Sequence, residues 1–152
     1  MHKIIKEDLY RYIGKECNSI LMQWRYIIFT PGFRYIYFFR KTQLASNALC
    51  RLFYHWCLRR CMLRYAIQIP YTTKIGRGFR IVHFGHIVIN PGAVIGKNFN
   101  ISQGALIGNA QGKRSGVPII GDNVCLNANA TIIGGVTIGD NVLDCTGGVC
   151  QF

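Results

Sequence analysis

The sequence predicts a mainly β chain with helices at its front: a small α-helical domain over residues 1–66, then a solenoid of stacked triangular coils over residues 67–152. Three observations predict it. Apolar residues recur at helical spacing before Ile67 and at a period of six after it. Glycine follows the periodic aliphatic at Gly76, Gly96, Gly108, Gly121 and Gly139, where it is expected to relieve a tight bend. The segment Asn109 to Pro118, NAQGKRSGVP, breaks the register, so a loop is expected to project there.

The helical part reads IIKEDLYRYI, SILMQWRYIIF, FRYIYFFRK and ALCRLFYHWCLRRCMLRYA, with Pro31-Gly32 marking a turn between the second and third stretches. Basic residues, among them Arg25, Lys41, Arg51 and Arg60, are interleaved with aromatics. That pattern suits nucleic-acid or membrane binding. It also suits plain packing, with the aromatic stripe turned inward and the Arg and Lys heads solvated, and packing is the preferred reading.

In the repeat, Ile69, Ile75, Ile81 and Ile87 lie six apart. After a slip of two residues, Ile89, Ile95, Ile101 and Ile107 continue, and Ile120, Leu126, Ile132 and Ile138 follow the interruption. Four places after each of the last set stand Val124, Ala130, Val136 and Val142. Six residues make a short strand and a bend, and three such units close a coil of about eighteen residues, whose aliphatics stack inward as ladders.

Half the 152 residues are hydrophobic and 16% are charged, which excludes a disordered chain. The formal net charge is +12, the only acids being Glu7, Asp8, Glu16, Asp122, Asp140 and Asp144, so an anionic partner is expected. No apolar run approaches the ~20 residues of a membrane span. The start, MHKIIKEDLYR, lacks a signal-peptide core, and a cytoplasmic location is expected. No stacking or base-reading motif accompanies the charge, so nucleic acid is not expected as a partner. The seven cysteines, at positions 17, 50, 57, 61, 125, 145 and 150, read as reduced, buried thiols. Cys50, Cys57 and Cys61 share a helical face near His55, which admits a metal site. The spacing matches no known ligand pattern, so core packing is preferred and no metal is expected.

The stretches PGFRYIYFFR, IGRGFRIVHFGHIVINPGAVIG, GKRSG and PIIGDNVCLNANATIIGGVTIGDNV together resemble the hexapeptide-repeat acyltransferases, and among them the serine acetyltransferase family with its N-terminal helical domain. The resemblance implies a left-handed parallel β-helix, and homotrimers or dimers of trimers with active sites between neighbouring β-helices. It also implies acetyl-CoA as co-substrate and a small-molecule acceptor. The family pattern Asp-His-x-x-Gly-Ile-Val falls on residues 82–88 and makes His83 the general base, with His86 standing at the family's Gly. A neutral imidazole suits proton abstraction from an acceptor hydroxyl near neutral pH. Gly108 and Ala128 match positions that cradle the pantetheine arm, and Lys113 and Arg114 in the loop are candidates for the cofactor's phosphates or, equally, a solvated loop tip.

The sequence also departs from the family. Val82 replaces an acid that helps bind serine, Gln68 replaces the Asp that orients the base, and Val117 replaces a second His. Glu16 is then the candidate partner for a serine ammonium. Serine O-acetylation, a step towards cysteine biosynthesis, is the first reading. Acetylation of a sugar hydroxyl in surface-polysaccharide assembly is the second, and a non-catalytic relative is the third. At the C-terminus the register asks for aliphatics at 144 and 150, but Asp144 and Cys150 stand there. One set of codons for IAPGAYVNF becomes DCTGGVCQF on insertion of a single G, so a frameshift that removes the family's final coil and tail is suspected.

Overall fold

The computed structural model describes residues 1–111, 115–144 and 149–151. Four helices come first: α1 (Lys3–Ile13), α2 (Ile20–Phe29), α3 (Pro31–Leu44) and α4 (Ala48–Tyr65). Their ends follow local chemistry. The Ser19 hydroxyl accepts from the Met22 N–H and the Asn47 side chain from the Leu49 N–H, while Pro31 opens α3 and Gly14 closes α1 at φ 76°. Helix α3 is the central one and buries Phe33, Tyr35, Ile36 and Phe39.

The chain then winds through three parallel sheets in rotation. The first stacks β1 (Ile67–Gln68), β4 (Ile87–Ile89), β7 (Leu106–Gly108), β10 (Thr131–Ile133) and β13 (Val149–Gln151). The second stacks β2 (Lys74–Ile75), β5 (Val94–Ile95), β8 (Ile119–Ile120) and β11 (Thr137–Ile138), and the third β3 (Arg80–Ile81), β6 (Asn100–Ile101), β9 (Cys125–Leu126) and β12 (Leu143–Asp144). This is a parallel β-helix. The periodic aliphatics point inward as expected: all are buried except Ile138 and Val142, which are half-buried against the same core. Between the aliphatic ladders, Phe79 stacks on Phe99 with ring centroids 5.9 Å apart.

Glycine serves a different purpose from the one the sequence suggested. Gly76, Gly96 and Gly121 do not have positive φ. A Cβ on Gly96 would lie 2.6 Å from the Gly121 carbonyl, and one on Gly76 would lie 2.5 Å from the Gly96 carbonyl oxygen, so these residues permit close approach of successive coils. The left-handed backbone comes two residues later, at Gly78, Asn98, Asn123 and Asn141. Asparagine tolerates that region, and its side chain ladders the corner: Asn98 donates to Asn123 and Asn123 to Asn141, each at 2.9 Å.

Two further expectations are corrected. The aromatics of α2 and α4 do not all turn inward, since Trp24, Phe53 and Trp56 are exposed. Nor are all the thiols buried: Cys61 is, whereas Cys17, Cys57 and Cys125 are half-buried and Cys50 is exposed. For the aromatics and for Cys50 and Cys57 the physical reason is shared. Only α3 is enclosed, and α2 and α4 each rest one narrow face upon it.

Candidate active site

His83 sits on a corner that is longer than its neighbours. From Ile81 to Ile89 the chain takes eight residues, where Ile101 to Ile107 takes six, and the surplus lies between β3 and β4. The turn uses Gly85 at φ 120° and His86 at φ 52°. His86 thus occupies a left-handed position that favours glycine, which is the residue the family pattern carries there. Val82, His83, Phe84 and His86 are all exposed.

The corner is anchored on both sides. The Tyr12 hydroxyl donates to the Ile81 carbonyl and accepts from the Ile81 N–H, both at 2.9 Å. The Phe84 ring meets Tyr65 edge-on at 5.5 Å, and Arg34 donates to the Tyr65 hydroxyl at 2.6 Å. The Gly85 carbonyl accepts from the Gly104 N–H of the next coil at 2.9 Å. The His83 imidazole itself makes no hydrogen bond with the described residues, so a base on this corner is held by its backbone and open to whatever packs against it.

Beside the first sheet runs a groove of about 360 Å³, with walls that include Gln68, Val88, Leu106, Gly108 and Ile133. Gln68 and Gly108 therefore share one groove, but His83 is not among its lining residues and Gln68 does not bond to it. A polar pair missed by the sequence reading lies in the same groove: Asn90 donates to Asn109 at 3.3 Å and accepts from the Gly92 N–H. The signal was the polar Asn90 directly after the buried Ile89. Ala110 and Gly116 close the base of the projecting loop with an antiparallel bridge, and Val117 packs against Gly92. Lys113 and Arg114 lie outside the described residues. Ala128 is half-buried in a turn beside Asn129, whose φ is 62°.

Glu16 is elsewhere. It lines a second cavity of about 640 Å³ between α1 and the corners of the first two coils, with Lys6, Arg11, Arg77 and Lys97 around it. The Glu7 carboxylate pairs with Arg77 at 3.3 Å at its edge. The backbone N–H of Lys97, aided by its ammonium, holds the nearby Asp122 carboxyl below the usual range. The structure thus brings Gln68 and Gly108 together and keeps Glu16 in a separate, basic cavity. Among the described residues, no group of three or more His, Cys, Asp or Glu side chains is arranged to hold a metal ion.

No protein-family model matches the chain. It is 37% identical over 101 residues to WcaB of Escherichia coli (strain K12), an acetyltransferase ascribed to colanic acid biosynthesis; the match covers 65% of this chain and 61% of WcaB. It is 40% identical over 76 residues to the chloroplastic serine acetyltransferase 1 of Arabidopsis thaliana, covering 49% of this chain and 24% of that one. The solved serine acetyltransferase of Neisseria gonorrhoeae superposes with a TM-score of 0.73 at 26% identity, covering 97% of this chain and 58% of that one. A coenzyme A complex of the Brucella abortus serine acetyltransferase superposes at 0.71 with 20% identity, covering 95% and 58%, a likeness of fold alone. The similarity to serine acetyltransferases is thus found in both sequence and fold, and that to WcaB in sequence, over a chain that spans about three fifths of WcaB.

Proposed function

We propose that this chain acts as an acetyl-CoA-dependent O-acetyltransferase with His83 as its general base, and that its first acceptor is serine. One observation carries the reading: the residue that matches the family's base is exposed on an over-long corner whose flanks are fixed by Tyr12 and Tyr65. A positioned imidazole is what such a reaction requires. His83 takes the acceptor hydroxyl proton as the oxygen attacks the thioester carbonyl. The new C–O bond forms, the C–S bond breaks, and the departing CoA sulfur recovers the proton from the imidazolium.

The groove holding Gly108 supports an extended pantetheine arm, with apolar walls and the Asn90–Asn109 pair as polar handles. Ala128 is assigned to the same arm, and Lys113 and Arg114 to the phosphates. The resemblance to serine acetyltransferases implies a left-handed β-helix and a trimer, singly or in pairs; a neighbour would then complete the site around His83, which has no partner among the described residues of one chain. We place the reaction in the cytoplasm; among the described residues no helix is long and apolar enough to cross a membrane.

A second reading, transfer to a sugar hydroxyl, is favoured by specific observations. Val82 beside His83 is apolar, Gln68 is uncharged, and Glu16 lies in the other cavity, so little here greets an ammonium group. The WcaB likeness points the same way. CoA release from acetyl-CoA, measured against serine and a panel of free and nucleotide-linked sugars, separates the two. Turnover with serine alone supports the first reading, turnover with sugars alone the second, and no turnover with any acceptor overturns both.

A further inference from the structure

We infer that the outer faces of α2 and α4 form a docking surface for an anionic lipid bilayer. Along α4, Leu49, Leu52, Phe53, Trp56 and Leu63 recur at helical spacing and are 76%, 66%, 59%, 55% and 77% exposed. Only Leu58, Cys61 and Tyr65 of its eighteen residues are buried. On α2, Leu21, Trp24, Ile28 and Phe29 are exposed and Ile27 alone is buried. Each helix is therefore apolar both toward the protein and toward solvent, which a water-facing helix has no reason to be. Arg34 ties the two, donating to the Ile27 carbonyl at 2.7 Å and to the Tyr65 hydroxyl at 2.6 Å.

The charge on these faces selects the partner. Arg25, Arg51, Arg59, Arg60 and Arg64 are exposed, and the sequence has no Asp or Glu between Glu16 and Asp122. A second copy laid on this surface would set arginines against arginines, with no carboxylate from these helices to pair them. A nucleic acid would satisfy the arginines and leave the leucines unused. A bilayer with anionic headgroups suits both sets at once: guanidinium groups at the phosphates, leucine and phenylalanine at the acyl boundary, and tryptophan between them. Both tryptophans of the chain lie on these two faces, and Arg60 stacks on Trp56 at 5.0 Å. The surface would hold the protein at a membrane face without crossing it, independently of which acceptor it uses.

Because Trp24 and Trp56 are the only tryptophans, the emission of the unaltered chain reads this surface directly. Phosphatidylcholine vesicles containing phosphatidylglycerol should shift the emission to the blue, with quenching by brominated acyl chains. Pure phosphatidylcholine should bind at least about tenfold more weakly, and added salt should weaken the binding to mixed vesicles. The variant Arg59→Glu/Arg60→Glu, with unchanged circular dichroism, should lose most of the vesicle affinity. Emission unmoved by mixed vesicles would overturn the proposal. So would emission that is already blue in buffer and reddens on dilution, because a second copy would then cover the surface.

Discussion

The hydroxyl of Tyr35 bonds both backbone groups of Ile69, donating to its carbonyl at 2.7 Å and accepting from its N–H at 3.1 Å. Tyr12 treats Ile81 the same way, and Arg40 donates to the Ile75 and Gly76 carbonyls at 2.8 and 2.6 Å. Backbone in or directly after the first strand of each of the three sheets is thus bonded by a side chain from α1 or α3. The helices cap the solenoid, since an open coil would otherwise present unpaired polar backbone. Tyr35→Phe should cost about 1–3 kcal/mol, because it strands a buried N–H and carbonyl with no replacement partner. Denaturant unfolding measures it, and an unchanged midpoint would show that the edge finds other partners.

Beneath this cap, Arg40 pairs with the buried Asp8 at 2.8 Å, and Asp8 also accepts from the Phe79 N–H at 2.9 Å. Burial pushes the Asp8 carboxyl above its ordinary 3.8, opposed by Arg40 and by the Phe79 and Gly78 N–H groups. Arg40→Met removes the largest opposing influence, so the carboxyl should rise further and the fold should lose ~3–5 kcal/mol near neutral pH. A raised carboxyl favours the protonated folded form, so this loss should shrink as pH falls from neutral toward 3.8 and then level off, the group being protonated in both folded proteins by that point. Thermal melts of the variant across acid pH check the sign; a loss that grows on acidification contradicts it.

The two histidines of the long corner should separate cleanly. His83→Ala is expected to lower turnover by ~10²–10⁴-fold, the usual contribution of a general base. His86→Gly, at φ 52°, should leave turnover nearly intact and stabilise the fold by up to ~1 kcal/mol as left-handed strain is relieved. Equal losses of activity from both changes would remove His83 from its role.

Helix α4 also makes a prediction about its thiols. Burial pushes the Cys61 thiol up to about 11, against the pull of Arg34, while Cys50 lies exposed at the start of the same helix. At mildly alkaline pH only about one Cys61 in a thousand is thiolate, so a maleimide should label Cys50 within minutes and Cys61 only after unfolding. Peptide mapping by mass spectrometry distinguishes the sites. Prompt labelling of Cys61 would mean that α4 does not pack as described.

At the other end of the solenoid, Asp144 is in register with Leu126 and Cys150 with Ile132, both buried ladder positions in the previous coil. The register thus asks for an aliphatic at both positions, as at Leu126 and Ile132. Asp144→Ile/Cys150→Val should raise the melting temperature, and replacing DCTGGVCQF with the frame-restored IAPGAYVNF should raise it further. Thermal melts check both changes, and an unchanged melting temperature would show that the last coil tolerates these residues.

The six-residue period by itself determined which residues face the interior of the β-helix. That pattern is local: an inward side chain every sixth residue needs no knowledge of distant contacts, and Ile69 through Ile132 obey it. The slip between Ile87 and Ile89 was visible as well, but that it reflects a longer corner at His83 came only from the strand register. Tertiary structure alone decided what meets across the chain. Tyr12 finding Ile81, and Tyr35 finding Ile69, are contacts between residues 69 and 34 places apart, and no periodicity encodes them. The same holds for the separation of Glu16 from Gln68 into two cavities, because α1 lies over the first two coils and the groove follows another sheet. Whether the aromatics of α2 and α4 faced inward or outward was equally beyond the sequence. Helical spacing reveals a stripe, but only the arrangement of neighbouring elements determines whether anything covers it.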